Sequence, residues 1–169
     1  MKLVILTLLW LLANFCHASA GEDPKTGEKI LNSNGIFEQQ LSRMLNEFSE
    51  TPDDGRVCNS IGFYLYKLGK YQPAIEYYKK AIALSPEYPI SYNNLGVLYL
   101  KENQLQLAEG NFKKAIELEP KYVKAICNLA LVCYKLQKYD EARRLYYRAK
   151  IVNSEYVTKR ISCFQDKAR

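Results

Sequence analysis

The sequence predicts an all-α solenoid of three stacked helical hairpins, with one further helix at each end. Three observations carry this. The chain is self-similar at a 34-residue interval from about Gly55 to Ser154, each copy alternates small and bulky residues in the same order, and apolar stripes of helical period flank the array on both sides.

The chain opens with Lys2, an apolar run from Leu3 to Leu12, and Ala18-Ser19-Ala20 ahead of a polar, charged segment. That is the layout of a secretory signal peptide. The apolar core is shorter than the roughly 20 residues a membrane-spanning helix needs. Residues 1–20 are therefore expected to be cleaved after Ala20 and the protein exported, to a periplasm or a secreted space; retention as an anchor is the alternative, because Ala13 to Phe15 lengthen the stretch. Bulky Phe15 argues against lipidation at Cys16. Residues 21–35 read as a flexible leader that ends in the breaker Asn34-Gly35. Over residues 36–50, Ile36, Phe37, Leu41, Met44, Leu45 and Phe48 make one apolar stripe, the mark of an N-terminal amphipathic helix, and Pro52-Asp53-Asp54-Gly55 breaks the chain after it.

The three copies span residues 55–88, 89–122 and 123–156. The first carries Ile61-Gly62, Leu65, Ala74, Tyr78, Ala81 and Pro86; the second Leu95-Gly96, Tyr99, Ala108, Phe112, Ala115 and Pro120; the third Leu129-Ala130, Cys133, Ala142, Tyr146 and Ala149, with Ser154 in place of proline. Two antiparallel helices approach closely only where side chains are small, at Gly62, Gly96 and Ala130 and at Ala74, Ala108 and Ala142, and Tyr78, Phe112 and Tyr146 fill the space beside those contacts. Gly69-Lys70, Asn103-Gln104 and Gln137-Lys138 fall where the helices must turn, and Pro86 and Pro120 stop the second helix. This pattern resembles the tetratricopeptide repeat family. It departs at Cys58 and Ile126, where the family often has tryptophan, and at Ser154. The resemblance implies a right-handed α–α superhelix. A hairpin repeat cannot bury its apolar face alone, so the array needs a cover at each end. Residues 36–50 supply one; Val157, Ile161 and Phe164, at helical spacing among Lys159, Arg160 and Lys167, predict a C-terminal capping helix over residues 157–169.

In this family the first helix of each pair lines a concave wall. The resemblance implies inward positions at Arg56, Asn59, Phe63, Tyr66 and Lys67, then Ile90, Asn93, Val97, Leu100 and Lys101, then Lys124, Cys127, Leu131, Tyr134 and Lys135. Phe63, Val97 and Leu131 form an apolar ridge, and Lys67, Lys101 and Lys135 a basic rim, a surface suited to a protein or peptide with apolar anchors and acidic neighbours. The alternative is that the 36–50 helix occupies the groove itself. Some members clamp a partner's C-terminal carboxylate. Asn94 and Lys124 resemble parts of that clamp, but Asn59 and Phe63 stand where it wants Lys and Asn, and Asn128 where it wants a basic residue.

Without residues 1–20 the chain holds 23 basic and 18 acidic residues, and the excess is C-terminal: residues 123–169 hold 11 basic and 4 acidic side chains. A charge run on helices is most simply a solvated face, although a basic end also suits an anionic membrane surface. No nucleic-acid motif is present, so nucleic acid is not an expected partner. Cys58, Cys127, Cys133 and Cys163 remain after cleavage; Cys127 and Cys133 point to nearly opposite sides of one helix, which leaves Cys133–Cys163 as the one disulfide to propose, against four buried thiols. The only histidine is His17, inside the signal segment, and there is no Cys-x-x-Cys, phosphate loop or nucleophile elbow. Asp53-Asp54 and Asp140-Glu141 sit at helix starts, where acids favour the dipole. No cofactor and no metal are expected. The sequence thus points to a non-enzymatic binding scaffold, with a self-associating or membrane-surface structural protein as the alternative.

Overall fold

The computed structural model describes residues 33–160; the signal segment, most of the leader, Cys163 and the end of the predicted capping helix lie outside them. The described residues form eight helices: α1 (Ser33–Glu50), α2 (Gly55–Lys67), α3 (Tyr71–Leu84), α4 (Pro89–Lys101), α5 (Leu105–Leu118), α6 (Val123–Lys135), α7 (Tyr139–Val152) and α8 (Ser154–Arg160). None of the described helices is long and apolar enough to cross a membrane.

Each hairpin closes where the small residues predict. A Cβ added at Gly62 would lie 2.7 Å from Tyr78 Cε1, and one at Gly96 would lie 2.7 Å from Phe112 Cε1, so only glycine allows these rings to seat against the first helix. Both rings are nearly or fully buried. The turns share one device: Gly69, Asn103 and Gln137, 34 residues apart, have φ of 75°, 60° and 61°. This left-handed step reverses the chain in the space of three residues. Asp54 caps α2 by accepting the Arg56 amide at 2.7 Å, and Pro89 starts α4 in the first turn, where its missing N–H is not needed.

The hairpins α2–α3, α4–α5 and α6–α7 stack as an α–α superhelix in which the second helix of one pair packs on the first helix of the next. The end helices fit the same alternation. α1 packs on α2 as α3 packs on α4, burying Leu41 against Val57, Ile61 and Leu65, with Phe48 edge-on to Tyr77 at 6.2 Å. It takes the place of the second helix of a missing preceding hairpin. The groove is thus left free of α1, except that Phe37 reaches Lys67 at its edge. α8 covers the other end through Val157, which is 1% exposed.

Two boundaries differ from the sequence expectation. α1 begins at Ser33, so Asn34 and Gly35 lie in its first turn and do not precede it; the first amides of a helix have no internal partners, and such residues are tolerated there. α8 begins at Ser154, where Asn153 Oδ1 accepts the Tyr156 amide at 2.9 Å, three residues before the expected start.

Candidate functional site

The first helices α2, α4 and α6 touch one another along the stack and make one wall. Asn59, Asn93 and Cys127 recur on it at the 34-residue interval and are buried, 8%, 5% and 2% exposed. They form the floor of the groove and not its open surface. Asn59 Oδ1 accepts from Asn94 Nδ2 at 3.1 Å and from Ser91 Oγ at 3.4 Å, and Asn128 Nδ2 donates to Asn93 Oδ1 at 3.0 Å. These amide bonds join one hairpin to the next, and among the described residues no buried side-chain nitrogen or oxygen lacks a partner. Buried polar atoms satisfied in this way fix the register of the stack, because a slip would orphan them at about 1–3 kcal/mol each.

Above this floor the predicted ridge is accessible. Phe63 is 38% exposed, and Tyr66, Val97, Leu100, Leu131 and Tyr134 are half-buried. Arg56, Lys67, Lys101, Lys124 and Lys135 are exposed, and among the described residues none of the five makes an ion pair. Three lie over aromatic rings: Arg56 on Tyr88 at 5.9 Å, Lys67 on Phe63 at 5.5 Å and Lys101 on Tyr71 at 4.7 Å. The Tyr71 hydroxyl also holds the Lys101 ammonium above the ordinary lysine range. The wall therefore presents five cations, three of them stacked on rings, that pair with no carboxylate among the described residues.

Between α2, α4 and the start of α6 lies an open cavity of about 350 Å³, lined by Asn59, Ser60, Phe63, Tyr64, Ile90, Asn93, Asn94, Tyr122 and Lys124. It brings together Asn59, Phe63, Ile90, Asn93 and Lys124 of the expected positions; Val97, Leu100, Leu131, Tyr134 and Lys135 stand farther along the wall. Sequence reasoning missed Ser60, Tyr64 and Tyr122. The signal for Tyr122 was present, since Tyr88 and Tyr122 recur at the repeat interval just before α4 and α6. Burial pushes the Tyr122 phenol up to about 12, so it stays a neutral hydrogen-bond donor.

One polar cluster lies apart from the groove. Glu109, Cys133 and Glu141 place their ligand atoms within 4.8 Å of one another. Glu109 is already held by Lys113 at 2.6 Å and by Lys138 at 2.8 Å, and burial pushes the Cys133 thiol up to about 11. The donor set is one carboxylate, Glu109, already bonded to two ammonium groups, a second, Glu141, with Lys113 at 3.8 Å, and a protonated thiol, which suits a bridge between the second and third hairpins better than a cation. Burial raises the Glu109 carboxyl, but the hydrogen bonds and charges of Lys113 and Lys138 outweigh it and leave it below its ordinary value. Cys58, Cys127 and Cys133 are buried and not bonded to one another; the partner proposed for Cys133, Cys163, lies outside the described residues.

The family described as "TPR repeat" matches residues 64–103, and that described as "Tetratricopeptide repeat" matches residues 89–122 and 111–144. No curated protein matches the chain. Among solved structures, the first TPR of Spaghetti (RPAP3) bound to the HSP90 peptide SRMEEVD superposes with a TM-score of 0.63 at 25% identity, covering 68% of this chain and 93% of that one. MamA gives 0.68 at 19% identity over 81% and 85% of the two chains, and the Arabidopsis OM64 TPR domain 0.62 at 23% over 66% and 94%.

Proposed function

The chain belongs to the tetratricopeptide repeat family, and from that premise we propose that it is a non-enzymatic protein–protein interaction scaffold whose concave groove takes a peptide or helix of a partner. The observation that carries this reading is the open cavity of about 350 Å³ at Phe63, Ile90 and Lys124, set in a wall of exposed apolar and unpaired basic side chains. Phe63, Val97 and Leu131 supply apolar anchors, and the five cations steer acidic residues toward them. The Spaghetti domain, which holds a peptide, lends support to a peptide as the class of ligand. Its acidic tail is not the ligand proposed here. Asn59, Phe63 and Asn128 occupy the places where a carboxylate clamp needs Lys, Asn and a basic residue, and Asn94 is already bonded to Asn59. We place the partner in a periplasm or secreted space, on the strength of the signal-type segment at residues 1–20.

The test is an array of nonapeptides in three classes, acidic–apolar, neutral and basic, probed with the full chain and with Phe63→Asp/Leu131→Asp. Preferential binding of acidic–apolar peptides, weakened about tenfold or more by the double substitution, is expected. Equal binding of all three classes, or binding that the double substitution leaves unchanged, would remove the groove from consideration. The SRMEEVD peptide with a free and with an amidated C-terminus serves as the control, and the two forms are expected to bind alike because the carboxylate clamp is incomplete.

A further inference from the structure

The three second helices α3, α5 and α7 are equivalent by the repeat, so each serves as a control for the others. α7 buries Ala142, Leu145, Tyr146 and Ala149 in the core. The opposite stripe, at i, i+3, i+4 and i+7, is Arg144, Tyr147, Arg148 and Ile151. In α3 the same four positions are Glu76, Lys79, Lys80 and Ala83, and in α5 they are Gly110, Lys113, Lys114 and Glu117. Those two stripes are ordinary solvated faces, with Lys79 paired to Glu76 at 3.1 Å and Lys114 to Glu117 at 2.8 Å. On α7 the acids are gone and two lysine positions have become tyrosine and arginine. Tyr147 is 57% exposed and Ile151 87%, and Val152 beside them is 38% exposed.

The stripe beyond the first turn of α7, where Asp140 and Glu141 stand, is surrounded by basic charge. Residues 142–154 contain Arg143, Arg144, Arg148 and Lys150 and no acidic residue. Arg143 is paired with Asp140 at 2.9 Å, whereas Arg148 donates to the neutral Pro120 carbonyl at 2.7 Å and keeps its net charge. Exposed aliphatic and phenolic side chains flanked by arginines on one outward face suit a surface that is anionic outside and apolar just beneath. We propose that the outward stripe of α7 docks the protein on an anionic lipid surface, with Ile151 and Val152 entering the acyl boundary, Tyr147 at the headgroup level and Arg144, Arg148 and Lys150 on lipid phosphates. A second copy seated face to face would set two such cationic stripes against each other, so charge disfavours that occupant. The stripe lies on a second helix and the groove on first helices, so the two surfaces are independent.

The experiment uses the full chain carrying Trp10→Phe and Ile151→Trp, which leaves one tryptophan, at the stripe. Vesicles of phosphatidylcholine, alone or with phosphatidylglycerol, carry brominated acyl chains that quench tryptophan at the acyl boundary. The expected result is a blue shift and quenching with the anionic vesicles only, which weaken as salt rises. Adding Arg144→Glu/Arg148→Glu lowers the partitioning by at least about thirtyfold, the loss expected from removing two basic side chains at about 1 kcal/mol each near an anionic surface, before the repulsion of the two added carboxylates. The arginine reversals leave residues 1–20 unchanged, so the difference they make separates binding by the stripe from any binding by the apolar run at residues 3–12. Quenching by neutral vesicles to the same degree, no response to either, or insensitivity to the charge reversals would overturn the proposal. So would the same shift on adding soluble polyglutamate, which would assign the stripe to an acidic protein, or a dimer in sedimentation velocity that the reversals dissociate, which would assign it to a second copy.

Discussion

Gly96 and Phe112 give the sharpest test of how the hairpins close. A methyl group at position 96 would lie 2.7 Å from Phe112 Cε1, 2.9 Å from Cδ1 and 3.0 Å from Cζ, closer than real carbon contacts, and the ring is 0% exposed. Overpacking of this kind costs about 1–3 kcal/mol. Alanine in place of glycine inside a helix returns about 1 kcal/mol. Gly96→Ala alone should therefore destabilise by about 1 kcal/mol, the difference between the two effects. The third hairpin shows the accommodation that nature reached: Ala130 stands at the equivalent position, and Tyr146 is 8% exposed, compared with 2% for Tyr78. Phe112→Leu deletes Cε1 and Cζ and leaves a branch that can rotate away. In that background Gly96→Ala should become stabilising by about 1 kcal/mol, a coupling of about 2 kcal/mol. Urea unfolding of the four proteins of the cycle, followed by far-ultraviolet circular dichroism, measures it. Additivity within about 0.5 kcal/mol would mean that the two residues do not share the contact, and the small-against-bulky reasoning would fail.

The remaining predictions concern turns and charge. Gln137 holds φ at 61° without being glycine, so Gln137→Gly should raise stability by about 0.5–1 kcal/mol, and Gly69→Ala, at φ 75°, should lower it by about 1 kcal/mol; both are read from urea midpoints. The Glu109 carboxyl, held below its ordinary value in the folded protein, contributes stability that is present above the unfolded carboxylate pKa and is lost as pH falls through the lower folded value. Urea midpoints should therefore drop between about pH 5 and pH 3 more in the wild type than in Glu109→Gln, and parallel curves would show that the Lys113 and Lys138 contacts contribute nothing.

The repeat made the hairpins legible because its requirements are local. Gly62 opposite Tyr78, the turn at Gly69-Lys70 and Pro86 just past a helix end each follow from residues close in sequence or one repeat apart. The start of α1 was not legible, since Asn34-Gly35 reads the same whether it precedes a helix or forms its first turn. The groove was legible as a row of positions, but the depth of each position was not. Whether Asn59 and Asn93 are rim or floor depends on how far Asn94 and Asn128 of the next hairpin overlap them, and that overlap is a property of the stack. The Glu109–Lys138 link, 29 residues apart and on different hairpins, has no signature in the repeat for the same reason. The α7 stripe was visible only as excess C-terminal charge; the exposure of Tyr147 and Ile151 gave it an apolar component.

Site-specific photocrosslinking in the native compartment tests the central claim most directly, that the stacked first helices present a bindable inner wall. p-Benzoylphenylalanine is placed singly at 63, 97 and 131 on the inner wall and at 79 and 113 on the second helices, and adducts are resolved by mass and identified by mass spectrometry. The account predicts one common partner captured from the three inner positions and not from 79 or 113. Capture of the same partner from 79 and 113, with none from 63, 97 or 131, would contradict it.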